Sequence, residues 1–394
     1  MSPAYKMLLA NTAYMPKIPW KKGERDAFRT TRPIVNDLTV PIFIIPPAGD
    51  FDHDLGKILA PADHVKLFGK KLYESRGKRP VFIDAVYLDD ERHRVDPATH
   101  PLTALIERAL IAGAVAWPLT SLGRSDDYQE AVAKAHLRHQ MPVAMQLSLA
   151  DLQSASLNER LVSLCNQVSC DPEDAVLIID AGPIFVPDES QFVDSLIPIL
   201  NDLPRIYDWH EVVLSATALA DLQKVKVNEE KVVRRREWTI YKKLVERKSE
   251  LYRLPIFSDY GVEYVKDLRP RKVRPSAKLN YTRPDDYFFA KGENVKNAGY
   301  GAIFPVADKI VACSGFMGAT FSLGDASIVE IAGRSRGPGI APTWKWAAFD
   351  HHLAMVGLPA AVLLGLVVDV PVDLVESPST QLSLLGLLED NTQR

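Results

Sequence analysis

The stretch from Phe321 to His352, FSLGDASIVEIAGRSRGPGIAPTWKWAAFDHH, concentrates residues able to do chemistry. Gly333, Gly337 and Gly339 permit backbone angles and close approaches that other residues resist, Arg334 and Arg336 supply fixed positive charge, and Thr343 is placed to start a helix. Together they suit an anion, and phosphate above all, through charge and exposed amides. At the end of the segment Asp350 precedes His351 and His352. A carboxylate beside an imidazole fixes its tautomer, as an acid/base pair requires. Successive helical residues point about 100° apart, so the two histidines serve different surroundings unless the helix ends there.

Three carboxylates close apolar runs. Asp84, Asp180 and Asp259 each stand where a Val- or Ile-rich segment gives way to a polar loop. At the ends of parallel strands such residues can converge although distant in sequence. With His351 or His352 they would bind a divalent metal and activate water, the ordinary recipe for phosphodiester hydrolysis. Capping of the following helices is the structural alternative for all three. Lys22 and Glu24 are near enough for an ion pair, with a solvated turn as the alternative.

The elements that would position these groups alternate in type. Strands are predicted at Val40 to Ile45, Pro80 to Tyr87, Ala114 to Leu119, Pro142 to Leu147, Ala175 to Asp180, Glu211 to Ser215, Pro255 to Tyr260 and Lys278 to Thr282. Amphipathic helical patterns lie between them at about Leu55 to Glu74, Leu102 to Ala112, Asp127 to His139, Leu157 to Val168, Gln191 to Leu203 and Glu229 to Arg247. Eight strands with intervening helices predict an α/β fold, a TIM-like (β/α)8 barrel, ahead of an open doubly wound sheet. The expectation is one domain over residues 1–394, with a barrel core at 36–285. A decorated, mostly helical C-terminus at 286–394, opened by a further strand from Tyr287, would carry the Gly-Asp, Gly-rich and His-His motifs.

Bulk properties narrow the function. With 394 residues, 47% of them hydrophobic, the chain can bury a large core, and a net charge of −3 argues against a generally basic nucleic-acid coat. Local basic patches remain open at Arg234-Arg235-Arg236 and from Arg269 to Arg274. Trp238 and Tyr241, three residues apart, either stack a base beside Arg235 and Arg236 or form one packed helix face. Cys165, Cys170 and Cys313 lack metal spacing and read as reduced thiols in a cytoplasmic protein. The apolar run Leu353 to Val368 contains Gly357, Pro359 and Gly365 and falls short of a bilayer span; a buried helix and strand are expected. No export signal, membrane association, Walker A loop or dinucleotide fingerprint is expected.

Separated segments, taken in order, resemble the phage and bacterial beta protein family. They are Tyr14-Met-Pro, then Lys22-Gly23-Glu24 with Ala27, then Pro41-Ile-Phe-Ile-Ile-Pro46-Pro47, Ser258-Asp259-Tyr260-Gly261, Tyr281-Thr282 and Gly292. The C-terminal part adds Phe321-Ser322, Gly324-Asp325, Ile328, Gly337 and Gly339, Trp344 and Asp350-His351-His352. Ile44 stands where the family pattern generally has Glu, Gln146 where a strand-end Arg is sought, and Asp350 where Asn commonly precedes the histidines. The resemblance implies a barrel-like fold and a phage-related or antiphage setting. Lys22, Glu24 and Asp325 are further ligand-binding candidates beside Arg334, Arg336, Gly337, Gly339 and Thr343. Two readings follow. One is recognition of a phosphate-bearing ligand, such as nucleic acid or a nucleotide, with metal-assisted phosphodiester hydrolysis catalysed by His351, His352 and Asp180. The other is a noncatalytic module that binds a protein partner in a defence system, a reading that the loss of Glu at Ile44 favours.

Overall fold

The computed structural model describes residues 1–367 apart from 50, 90–92, 95, 97 and 270–274, so most of the Arg269 to Arg274 run lies outside the described residues. In chain order the strands are β1 (Lys17–Pro19), β2 (Ile42–Ile44), β3 (Phe51–Asp52), β4 (Lys57–Ile58), β5 (Val81–Asp84), β6 (Ala116–Ser121), β7 (Val143–Ser148), β8 (Ala175–Pro183), β9 (Glu211–Thr217), β10 (Glu230–Arg234), β11 (Ile256–Ser258), β12 (Ser276–Thr282) and β13 (Asp286–Asn294).

Eight of them form one parallel sheet in the order β1-β2-β5-β6-β7-β8-β9-β11. Its two edges meet. Tyr14 bridges to both Thr39 and Phe257, the Met15 amide donates to the Phe257 carbonyl at 3.0 Å, and the Lys17 amide donates to the Asp259 carbonyl at 2.7 Å. The sheet therefore closes into a barrel, which abolishes exposed strand edges. Its strands read as continuous apolar runs because helices cover the outside. One apolar core runs from the strands, through residues such as Phe43 and Ile178, into the C-terminal helices at Phe349 and Val356.

Seven of the predicted strands take their places in the barrel, and the eighth does not. Lys278–Thr282 belongs to β12, which pairs antiparallel with β13 in a separate three-stranded sheet completed by β10. The missing barrel strand is β1, whose three residues, Lys17 to Pro19 directly after Pro16, are too few to leave a pattern. Two predicted helices are also divided. Leu55 to Glu74 resolves into the β3–β4 hairpin followed by helices Pro61–Lys66 and Phe68–Arg76. Glu229 to Arg247 begins as β10, because its first residues pair with β13, and becomes helical only at Arg236.

The C-terminal elaboration includes helices Phe304–Ala312, Leu323–Ala332 and Ala341–Leu363. The last is 23 residues long and mostly buried. It packs against the Lys22–Thr30 helix, the Leu323–Ala332 helix and β12. The run from Leu353 is the second half of this one helix as far as Leu363, rather than a helix and strand; Val368 lies outside the described residues. Among the described residues, no helix is long and apolar enough to cross a membrane.

Candidate functional site

The strand-end carboxylates do not converge. Asp84 takes the Arg124 NH2 group at 2.8 and 2.9 Å on its two oxygens. Asp180 accepts from Lys17 Nζ at 2.6 Å and from the Tyr260 hydroxyl at 2.8 and 2.9 Å. Asp259 accepts from the Tyr14 hydroxyl and, at 2.9 Å, from the Gly261 amide. Each has its own partners, and among the described residues no group of three or more His, Cys, Asp or Glu is arranged to hold a metal ion. Ile44 sits on the rung of Asp84 at the carboxyl end of β2, an apolar side chain at the mouth.

His351 and His352 are fully buried and face different neighbours, as their helical spacing requires. His351 presents Nδ1 to Asp325 at 2.8 Å and donates from Nε2 to the Thr282 carbonyl at 2.6 Å, with its ring stacked on Tyr281. Asp325 also accepts from Ser322 Oγ and the Tyr281 hydroxyl, each at 2.7 Å. His352 lies 2.9 Å from the Tyr14 hydroxyl and 3.2 Å from Asp259 through Nε2, and 2.8 Å from Thr282 Oγ1 through Nδ1. Burial holds its pKa below the ordinary value although the Asp259 carboxylate opposes this, so the ring is neutral near pH 7. His352 bolts the C-terminal helix to the seam where the barrel closes, and His351 bolts it to β12 and the Leu323–Ala332 helix. Asp350 pairs with neither of them: it accepts from the Gly324 amide at 2.9 Å and Thr30 Oγ1 at 3.2 Å.

The glycine-rich loop is likewise engaged. Arg334, at φ 57°, pairs with Asp308, and Arg336 lies 3.4 Å from Glu330. Gly337 has open space where a Cβ would stand, whereas a Cβ on Gly339 (φ +63°) would come within 3.0 Å of Thr343. The Thr343 hydroxyl accepts from the Ile340 amide at 3.4 Å, at the start of the long helix. Arg235 is buried, and Trp238 and Tyr241 stack at 6.0 Å against Phe257, so this segment is a packed helix face. Burial pushes the Cys165 and Cys313 thiols up, and that of Cys170 to about 12, the opposite of nucleophile activation.

A large cleft opens instead at the carboxyl ends of β1, β2 and β11. It encloses about 500 Å³ and is bounded by Trp20, Pro46, Phe68, Glu263 and the first turns of the Lys22–Thr30 and Ala341–Leu363 helices. Lys22 and Glu24 line it; Arg334 and Arg336 do not. Gly23 is required by close packing, since a Cβ there would stand 2.7 Å from Lys345 Cβ and 2.8 Å from the Pro342 carbonyl oxygen. This contact draws the two helix starts together, and neither has a side-chain hydrogen bond from its N-cap residue, Lys21 or Ile340. Both therefore direct partial positive charge and amide donors to one place.

Cations and carboxylates share the walls. Arg25 lies with its guanidinium 5.0 Å from the Trp20 ring and binds Asp54 at 2.6 Å. Lys22 binds Asp54 at 2.7 Å, and Lys71 binds Asp52 at 2.6 Å and Asp54 at 3.0 Å. Burial alone would raise the Asp54 carboxyl, but Arg25, Lys22 and Lys71 outweigh it and hold it well below the carboxylate range. Lys345 and Lys278 pair with Glu263. Glu24 is buried without a side-chain ion pair, and desolvation raises its pKa against the pull of Lys345. Arg25, Lys71, Lys345, Asp54 and Glu263 are not apparent from sequence, because each lies outside a glycine-rich or paired-residue motif. The Lys-Gly-Glu triplet was the signal nearest to them.

A barrel of eight parallel strands ringed by helices, with a cleft at the carboxyl ends of its strands, is a TIM-type fold. The sequence matches the family model described as Beta protein over residues 14–357, and the chain belongs to that family. No curated protein matches it. Among solved structures it is similar to triosephosphate isomerase from Bartonella henselae at 10% identity, covering 62% of this chain and 90% of that one with a TM-score of 0.32. It is also similar to the carboxyl transferase domain of Rhizobium etli pyruvate carboxylase with pyruvate, at 13% identity, covering 91% and 50% with a TM-score of 0.31.

Proposed function

We propose that this Beta protein family member recognises a phosphate-bearing small molecule of nucleotide size, in a phage-related setting, through the cleft at the carboxyl ends of β1, β2 and β11. The observation that carries this reading is the meeting of two helix N-termini, neither capped by its N-cap side chain, on a cleft of about 500 Å³ also lined by Lys22, Arg25, Lys71 and Lys345. Helix N-termini and cations are the recurring parts of phosphate sites. Trp20 and Phe68 give the apolar wall that a base or similar flat group would use.

Binding is favoured over hydrolysis. Metal-assisted phosphodiester cleavage needs clustered carboxylates, whereas Asp84, Asp180 and Asp259 each serve a separate contact. His351 and His352 are both fully buried, the first against Asp325 and Thr282 and the second in the seam. Should the ligand be turned over, Glu24 is the cleft residue suited to move a proton, because burial raises its pKa toward neutrality.

The test is calorimetric titration of inorganic triphosphate and the nucleoside triphosphates at low and moderate salt. Wild-type protein is compared with the Lys22→Gln/Arg25→Gln double variant, whose folding is checked by circular dichroism. The expected result is binding that weakens with salt and falls about tenfold or more in the variant. No binding by any of these compounds, or equal affinity in the two proteins, would overturn the reading.

A further inference from the structure

The β3–β4 hairpin is an unusual wall for a ligand cleft. Its ladder is two residue pairs long, Phe51 with Ile58 and Asp52 with Lys57. Phe51, Leu55 and Ile58 are all about half exposed or more, and only Leu59 at its base is buried. A two-stranded hairpin of this length with outward apolar groups has little stability of its own. What attaches it is charge: Asp54 reaches Lys22, Arg25 and Lys71, while Asp52 holds Lys71 and accepts the Asp54 and Leu55 amides at 2.9 and 3.1 Å.

Those three cations come from two helices, Lys22–Thr30 and Phe68–Arg76, that pack on each other independently of the hairpin. The side chains of Arg25 and Lys71 are largely buried, at 11% and 13% exposure, so each needs an anionic partner in place. One carboxylate bound by three cations resembles a phosphoryl group in a charged clamp.

We propose that Lys22, Arg25 and Lys71 form the phosphoryl subsite of the cleft and that Asp54 is its built-in occupant, displaced with the hairpin when a phosphate-bearing ligand enters. The inference rests on the proposed ligand class and adds where the phosphoryl group docks and what guards the place. Ligand binding then exchanges one anion for another, so the cations are never left bare. The half-exposed Phe51, Leu55 and Ile58 leave the hairpin free to swing about its base at Leu59.

The experiment measures the affinity of inorganic triphosphate for wild-type protein, Asp54→Asn and the Lys22→Gln/Arg25→Gln variant. It also measures hydrogen exchange of amides 52–58 in wild-type protein with and without saturating triphosphate. Removing the competitor should tighten binding by about tenfold in Asp54→Asn, and the hairpin amides should exchange faster when the ligand is bound. Equal or weaker affinity in Asp54→Asn, in a case where the Lys22/Arg25 variant still loses binding, rejects the resident anion and leaves the ligand class standing. Slower exchange at 52–58 on binding also rejects it, and this readout needs no variant to fold. Absence of binding in every protein rejects the ligand class and this inference with it.

Discussion

Replacing Asp350 by Asn should stabilise the protein in a manner that grows with pH. Asp350 is buried between the Leu323–Ala332 and Lys22–Thr30 helices, where it faces the Gly324 amide and Thr30 Oγ1 with no cation in contact. Burial pushes its carboxyl up from 3.8 to about 6, with nearby Asp325 adding to the rise and the Gly324 and Thr30 bonds opposing it. A folded-state pKa above the unfolded one means that the residue's contribution is fully present below pH 3.8 and is lost as pH rises through 6. At 1.36 kcal/mol per pH unit, burying this carboxyl costs about 3 kcal/mol at pH 8 and roughly half as much at pH 5, where it is mostly held protonated. An amide has no such cost: its oxygen accepts from Gly324, and its NH2 can donate to Thr30 Oγ1 while that hydroxyl turns to the Ala27 carbonyl, 3.3 Å away. Urea unfolding at pH 5, 6, 7 and 8 should therefore show Asp350→Asn more stable than wild type, by a margin that widens by roughly 1 kcal/mol across the series. A margin independent of pH, or an Asn variant less stable throughout, would refute the argument.

Gly324→Ala should destabilise by about 3 kcal/mol, because the new Cβ would stand 2.1 Å from the Ala347 carbonyl oxygen and force the two C-terminal helices apart; a urea midpoint unchanged from wild type would contradict this. His352→Gln should cost about 2 kcal/mol through its contacts to Tyr14 and Thr282 yet leave triphosphate affinity unchanged, since the ring is sealed in the seam. Loss of affinity in a variant that melts like wild type would return His352 to the functional site.

Legibility from sequence followed the strength of local pattern. Runs such as Ala175 to Asp180 are apolar throughout because both faces of a covered parallel strand are buried, and they were recognisable. Lys278 to Thr282 imitates them in composition, but Ser276 and Lys278 alternate with buried Ala277 and Leu279, as befits the antiparallel β12. β1 is invisible locally, since three residues directly after Pro16 acquire strand character only from the neighbours that pair with them. The site divided in the same way. Lys22 and Glu24 stand in a recognisable triplet, whereas Lys71 meets Asp54 only after the hairpin folds over the Lys22–Thr30 helix. His351 and His352 drew the reading toward catalysis because a sequence shows that a histidine is present and not that Thr282, Tyr14 and Asp325 saturate it.

The closing of the barrel at Tyr14 to Lys17 has a consequence for synthesis. The first strand to leave the ribosome must wait for β11 before it has a neighbour on its second side, and the helix that carries His351 and His352 is later still. Until then the nascent sheet grows with an open edge at each end, and every added strand moves those edges further apart along the chain. Closure thus needs the last barrel strand, and the buried Tyr14, Asp259, His352 and Thr282 contacts act as a latch supplied by a helix that follows the barrel in sequence. A chain halted before Ala341 would hold all eight barrel strands and lack the piece that locks them.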